Sequence, residues 1–472
     1  IRKKIVSDKI IVMKNFLIDN LRIILCFILV LGVARFIYAT SFKDNASLLK
    51  SPSYAEQSYQ RYFIDKSSDR SWGPIAATII SGLKEFAPKN YTTFIWRLGL
   101  FISYGVIIYF LLNLIPEFNL LSQQNNKDPT KLWSIILVFV TLQSSAAIYN
   151  ITNGGGEIFT ALCIIGHFYF FCKKKYLISS IFIIVGIYFK LVAVVFAFPY
   201  FVFAICSRYH RQYVFYVFIV GAIVALISFP IQGLMHGSLY PFSMIISVVE
   251  QSPKTIPMWS QEIFNPLSLI NKMLYGFQIE KSMNPHILYT IPPITSVLIS
   301  LFTLLLILSN ILAGFILSRF EYRWKNDDQL RFLYLFFFQV IIGFLYLIFS
   351  VDVSIEHLLI PLISIYAPIF LFSATIHKFN DIDNIKIRFI VIYFIGLTLA
   401  GGFLPISIIS TIMPYDLIDK IVGDHTNHIG QYGRFIWYHF PLLGLLIIAY
   451  VSYSYSKFYL KKSNFNIFYT KK

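Results

Sequence analysis

Residues 150–175 read NITNGGGEIFTALCIIGHFYFFCKKK, which sets one carboxylate, Glu157, directly behind three glycines and at the head of an apolar run that three lysines close. Glycines let a backbone turn tightly and approach a ligand without side-chain clash, and a carboxylate is favoured at a helix N-terminus by the dipole. Glu157 therefore reads either as a simple capping group or as one that orients a sugar hydroxyl or a cationic partner such as Lys190, with Asn153 in the same turn as a second orienting group. Asp44, a few residues past the first apolar run, is placed to take a proton from a hydroxyl attacking a lipid-linked sugar at a membrane surface, a role that needs hydrogen-bond reach. Glu56 is its alternative, and Asp65 and Asp69 compete in the same loop. Lys254, His357 and Arg434 are cations suited to phosphate: arginine binds it bidentately and lysine as a point charge. In VDVSIEHLLIPL, Asp352, Glu356 and His357 stand at a helix mouth, where His357 either contacts phosphate or hydrogen-bonds Glu356. The DHTNH cluster at 424–428 has metal-ligand residue types, but two histidines at i, i+3 need further ligands, and no metal is expected.

These residues must be held by the elements between them. The 472-residue chain is 57% hydrophobic and 18% aromatic with only 13% charged residues, more apolar surface than a soluble domain can hide. The apolar residues come in runs near the ~20 needed to cross a bilayer, whereas the short alternating segments of a membrane β-barrel are missing. Arg2, Lys3, Lys4 and Lys9 lead into a long first run without an A-x-A site, so no cleavable signal peptide is expected. The net charge of +17 sits mostly in short loops between runs. It therefore reads as the positive-inside bias, with anionic lipid phosphate as a further target, and not as nucleic-acid binding. Cys26, Cys163, Cys172 and Cys206 lie in or at apolar runs, which argues against a disulfide framework.

Apolar runs at 22–40, 94–116, 132–149, 157–172, 176–190, 191–206, 213–235, 294–318, 332–350, 358–374, 389–412 and 435–455 predict an all-α, polytopic membrane protein of about twelve transmembrane helices. It would form one domain over 1–472 with both termini cytoplasmic. The basic loops then fall on one side: Lys127 and Lys131, Lys173–Lys175, Arg208 and Arg211, Arg319–Lys325, Lys378–Arg388 and the C-terminal lysines. The stretch 176–206 is broken only by Lys190. As one span it would split two basic clusters between sides; as a hairpin it keeps both inside and puts Lys190 at an outer turn. The hairpin is preferred. Each arm is then about 15 residues, ~22 Å, short of a ~30 Å core, so the turn is recessed, where a lysine needs protein or water beside it. The outer side carries the loops at 41–93 and 236–293. In the first, Ile75, Ile79, Ile80, Leu83 and Phe86 share one helical face, as in an interfacial amphipathic helix or an ordinary packed loop helix.

The run NGGGEIFTALCIIGHFYFFCKKKYLISSIFIIVGIYFKLVAVVFAFPYFVF resembles a stretch of the polyprenol-phosphate-sugar-dependent GT-C glycosyltransferases, glycosyltransferase family 87 (DUF2029) in particular. The order Gly156-Glu157, Lys173–Lys175, Lys190, Pro199 carries the resemblance, with Asp44 after the first run, Trp72 and Pro74 at a helix start, and EHLLIPLISIYAP late in the chain. Two positions depart from the family pattern: Asp-Phe-x-x-Tyr reads Asp44-Asn45-Ala46-Ser47-Leu48, and Glu157 replaces Gln. The resemblance implies inverting transfer of a hexose, mannose foremost, outside the cytoplasm. A polyprenyl-phosphate sugar would be donor, its phosphate held by Lys190, Arg434 or His357, and a lipid- or glycan-linked acceptor would be deprotonated by Asp44. It implies no cofactor. Two rivals remain open: an O-antigen or exopolysaccharide polymerase or ligase, which Arg61, Arg70 and Arg434 would serve, and a lipid or polysaccharide transporter, which would call for internal repeats.

Overall fold

Glu157 and Lys190 are brought together by a helical pair whose backbones lie close. The computed structural model describes residues 75–76, 79, 82–83, 86, 92–121, 128–142, 144, 146–147, 150–151, 155–236, 293–324, 327–350, 356–375, 384–400 and 442–457. Asp44, Glu56, Asp65, Asp69, Asn153, Lys254, Asp352, Arg434 and the 424–428 cluster lie outside the described residues, as does the side chain of Glu356. Eleven α-helices fall within them: α1 (Thr92–Leu121), α2 (Asp128–Leu142), α3 (Glu157–Cys172), α4 (Tyr176–Phe189), α5 (Val194–Cys206), α6 (Arg211–His236), α7 (Pro293–Phe320), α8 (Asp328–Phe349), α9 (Leu362–Thr375) and α10 (Asn384–Leu399), then α11 (Leu442–Lys457).

The fold is all-α, but the expectation of about twelve transmembrane helices is not met. Among the described residues, four helices are long and apolar enough to cross a membrane: Ile95–Phe118, Arg211–Ser228, Ser300–Arg323 and Asp328–Phe349. Such helices are those of a membrane protein. The other described apolar runs do become helices, but α3, α4, α5 and α9 have 16, 14, 13 and 14 residues, ~20–24 Å at 1.5 Å per residue against a ~30 Å core. Hydropathy records that a side chain avoids water, not whether lipid or protein covers it. Protein covers α3, twelve of whose residues are buried. By contrast, α6 and α7 leave Phe215, Phe218, Leu226, Leu304, Leu308 and Leu312 exposed.

The chain turns at Lys190, whose extended backbone (φ −148°, ψ 125°) ends α4 before the 3-10 turn Leu191–Ala193 and α5. The stretch 176–206 is thus two helices. α5 returns to the end of the bundle where α3 finishes, since Phe171 of α3 stacks on His210 at 5.7 Å. Lys173–Lys175 and Arg208/Arg211 therefore share that end, as the hairpin alternative requires. Interhelix contacts fasten it: Lys173 binds Glu117, Lys174 binds Asp328 at 2.8 Å, and Arg331 donates to the Cys172 carbonyl at 2.6 Å. Glu321 accepts from Ser207 and pairs with His210 Nδ1 at 2.8 Å. Of the expected amphipathic face in the first loop, Ile75 and Leu83 pack on the core, while Ile79 and Phe86 are exposed.

α3 and α4 approach closely because each contributes a glycine to the middle of their contact. A Cβ on Gly166 would lie 2.5 Å from the Phe182 ring, and one on Gly186 2.8 Å from the Cys163 Cβ; small residues allow such approach of membrane helices. The Gly186 carbonyl also accepts the Lys190 N–H at 2.8 Å. Gly186→Leu should therefore part the two helices at a cost of about 1–3 kcal/mol, read as a lowered unfolding midpoint in detergent. Gly221→Ala, whose Cβ meets only Ile184 at 3.7 Å, should leave the midpoint unchanged or raise it.

Candidate functional site

At the other end of the bundle, the first residue of α3, the residue after α4 and the 3-10 turn Glu356–Leu359 meet. The Lys190 ammonium donates to Glu157 Oε1. His357 Nε2 stands 3.1 Å from the same ammonium and 4.0 Å from Glu157 Oε1. An ammonium can only donate, so His357 Nε2 accepts and carries no proton in this arrangement. All three residues are at least nine-tenths buried: Glu157 is 2%, His357 6% and Lys190 8% exposed.

The glycine turn supplies the space. The Gly155 N–H closes it on the Asn150 carbonyl at 2.8 Å. A Cβ on Gly155 would stand 2.4 Å from Asn150 Oδ1 and 2.7 Å from Glu157 Oε2, so no side chain fits there while amide and carboxylate lie over the turn. Asn150 is fully buried and donates from Nδ2 to the Ala146 carbonyl at 3.1 Å. Glu157 Oε2 is buried and has no hydrogen-bond partner among the described residues. On the α1 side, Trp96 packs on Phe159 with centroids 5.3 Å apart, and its neighbour Arg97 is 1% exposed.

Of the residues singled out in the sequence, Glu157, Lys190 and His357 are thus in contact. Glu157 has the cationic partner that was one of its alternatives, and His357 has Lys190 beside it. Asn150 and Arg97 were not singled out. Arg97 had a legible signal, a lone arginine inside the apolar run at 94–116, since intramembrane charges mark function. Asn150 had none beyond its place four residues before the glycines.

The model of glycosyltransferase family 87 matches residues 72–345, more than half of the chain. The chain belongs to glycosyltransferase family 87. No curated protein and no solved structure matches it. The protein is therefore a glycosyltransferase of the GT-C superfamily. In this glycosyltransferase the matched segment takes in the glycine turn, Glu157 and Lys190, begins after Asp44 and Glu56, and ends before His357 and Arg434.

What the cluster can do follows from its charges. It presents a buried cation and an imidazole at the head of α3, a setting in which an anionic oxygen is strongly stabilised because water does not screen it. Removing one member of a buried pair costs about 3–5 kcal/mol because the survivor is left uncompensated, whereas replacing both is far milder. Lys190→Met and Glu157→Gln should each destabilise the glycosyltransferase by that order, and the double variant by much less than the sum. Unfolding of the four proteins in one detergent closes the cycle.

Proposed function

We propose that this glycosyltransferase moves a hexose, mannose foremost, from a polyprenyl-phosphate donor to a lipid- or glycan-linked acceptor outside the cytoplasm, with inversion at the anomeric carbon. The observation that carries the reading is the buried Lys190–His357 pair of nitrogens, 3.1 Å apart, of which the family match covers Lys190. Lys190 and His357 bind the donor phosphate, joined by Arg434 and Lys254 from the outer loops. Glu157 holds Lys190, and Asn153 and Glu356 orient the sugar or the acceptor.

The acceptor hydroxyl oxygen bonds to the anomeric carbon as the bond from that carbon to the phosphate oxygen breaks. The electron pair leaves with the phosphate, and the hydroxyl proton passes to Asp44, with Glu56 as the alternative base. A leaving phosphate gathers negative charge, and fixed cations aimed at it lower the barrier; loss of one such group costs about 10²–10³ in kcat. Lys190 supplies that charge, with the His357 imidazole beside it. The donor carries its own activation in the sugar–phosphate bond, so the reaction takes no cofactor.

Membranes holding wild type, Asp44→Asn or Lys190→Ala, supplied with radiolabelled polyprenyl-phosphate mannose, test this directly. Wild type should pass label to an acceptor. Asp44→Asn should abolish transfer with the protein still folded, and Lys190→Ala should raise the donor KM and lower kcat. If wild type ignores a panel of polyprenyl-phosphate sugars but elongates or transfers a diphosphate-linked glycan, the polymerase or ligase reading replaces this one.

A further inference from the structure

We propose that Glu157 is a displaceable internal counter-ion for Lys190: its carboxylate stands where the donor phosphate will bind and takes the lysine back as the product lipid phosphate leaves. The inference rests on the reading of Lys190 as a phosphate-binding residue and deepens it. Three observations carry it.

The first is that the lysine is already engaged. Its ammonium donates to Glu157 Oε1 and stands 3.1 Å from His357 Nε2, with all three side chains buried. A phosphate approaching that ammonium brings a second anion up to a cation that already holds one, and like charges in a poorly screened site repel strongly. Phosphate entry therefore weakens the Lys190 contact to Glu157 Oε1.

The second is that the carboxylate is held by its side-chain partners through one oxygen only, Oε1. Glu157 Oε2 is buried without a hydrogen-bond partner among the described residues. It stands over the glycine turn on the same side as Asn150 Oδ1, both oxygens being within 2.7 Å of the point where a Gly155 Cβ would stand. The turn keeps that space because residue 155 is glycine.

The third is the chemistry of the product. A polyprenyl-phosphate sugar is a phosphodiester with one negative charge. Breaking its bond to the sugar leaves a monoester whose second ionisation lies near pH 6, so the product carries more charge than the donor and would hold Lys190 and His357 harder. A waiting carboxylate offsets that difference and frees the site for the next donor. No proton or electron moves beyond those of the transfer itself.

The test uses the full-length protein in detergent and polyprenyl phosphate as the probe. Equilibrium binding and thermal unfolding are followed for wild type, Glu157→Gln, Glu157→Asp and Lys190→Ala. Glu157→Gln should bind polyprenyl phosphate about tenfold tighter or more, the low end of the coupling measured between close buried charges. It should also be more strongly inhibited by that product, with a lowered kcat. The same ligand should raise its unfolding midpoint further than it raises that of wild type, because phosphate then neutralises a lysine left unpaired. Glu157→Asp, which keeps the charge, should restore wild-type affinity. Unchanged or weaker binding by Glu157→Gln, with binding lost in Lys190→Ala, overturns the counter-ion role and leaves Lys190 as the phosphate ligand. Unchanged binding in Lys190→Ala overturns the phosphate reading itself, and this inference with it.

Discussion

An ammonium and a carboxylate withdrawn from water each cost several kcal/mol unless they meet. Lys190 and Glu157 meet at the point where three separate chain segments come together. Burying either alone would cost several kcal/mol more. Lys190 sits in the break between α4 and α5, and Glu157 on the first turn of α3, so the pair ties the turn after one helix to the start of another. His357 joins them from far along the chain.

The rest of the bundle keeps those positions fixed. α3 is 16 residues long, so its two ends are ~24 Å apart, and polar contacts lock each. One end holds the site. The other holds Glu321 against Ser207 and His210, and Arg331 against the Cys172 carbonyl. Between them the interior is aliphatic and aromatic, with a few polar links. Ser179 of α4 meets His167 Nδ1 of α3 at 2.7 Å, and the Tyr200 hydroxyl of α5 donates to Gln339 Oε1 of α8 at 3.0 Å. Such links in a low-dielectric interior fix one helix register against another. A slip between α3 and α4 would separate Glu157 from Lys190, so the register of that pair and the geometry of the site are one constraint.

The sequence made some of this legible and hid the rest for identifiable reasons. Lys190 interrupts a long apolar stretch, and a lone charge there demands a partner; Glu157 at the head of a short neighbouring helix was the nearest candidate, and the two are in contact. His357 was readable by type, but its neighbour Glu356 offered an equally local partner, and only folding brings residue 190 to it. Asn150 could not be singled out, because an asparagine near a glycine turn has many ordinary uses. The span count was overestimated because apolar runs such as 157–172 and 358–374 look alike whether lipid or protein surrounds them. Here α3 and α9 are short and covered by their neighbours. Membership of glycosyltransferase family 87 rests on residues 72–345, a segment that contains Glu157 and Lys190.

The central claim is that the Glu157–Lys190–His357 cluster receives the donor phosphate. The most direct test is a cryo-EM map of the full chain with polyprenyl phosphate bound. The account predicts phosphate density in contact with Lys190 Nζ and His357, with the Glu157 carboxylate drawn back from the lysine. Density for the phosphate at the opposite end of the bundle, against the exposed Lys175, Arg208 and Arg211, with Lys190 still paired to Glu157, would contradict it.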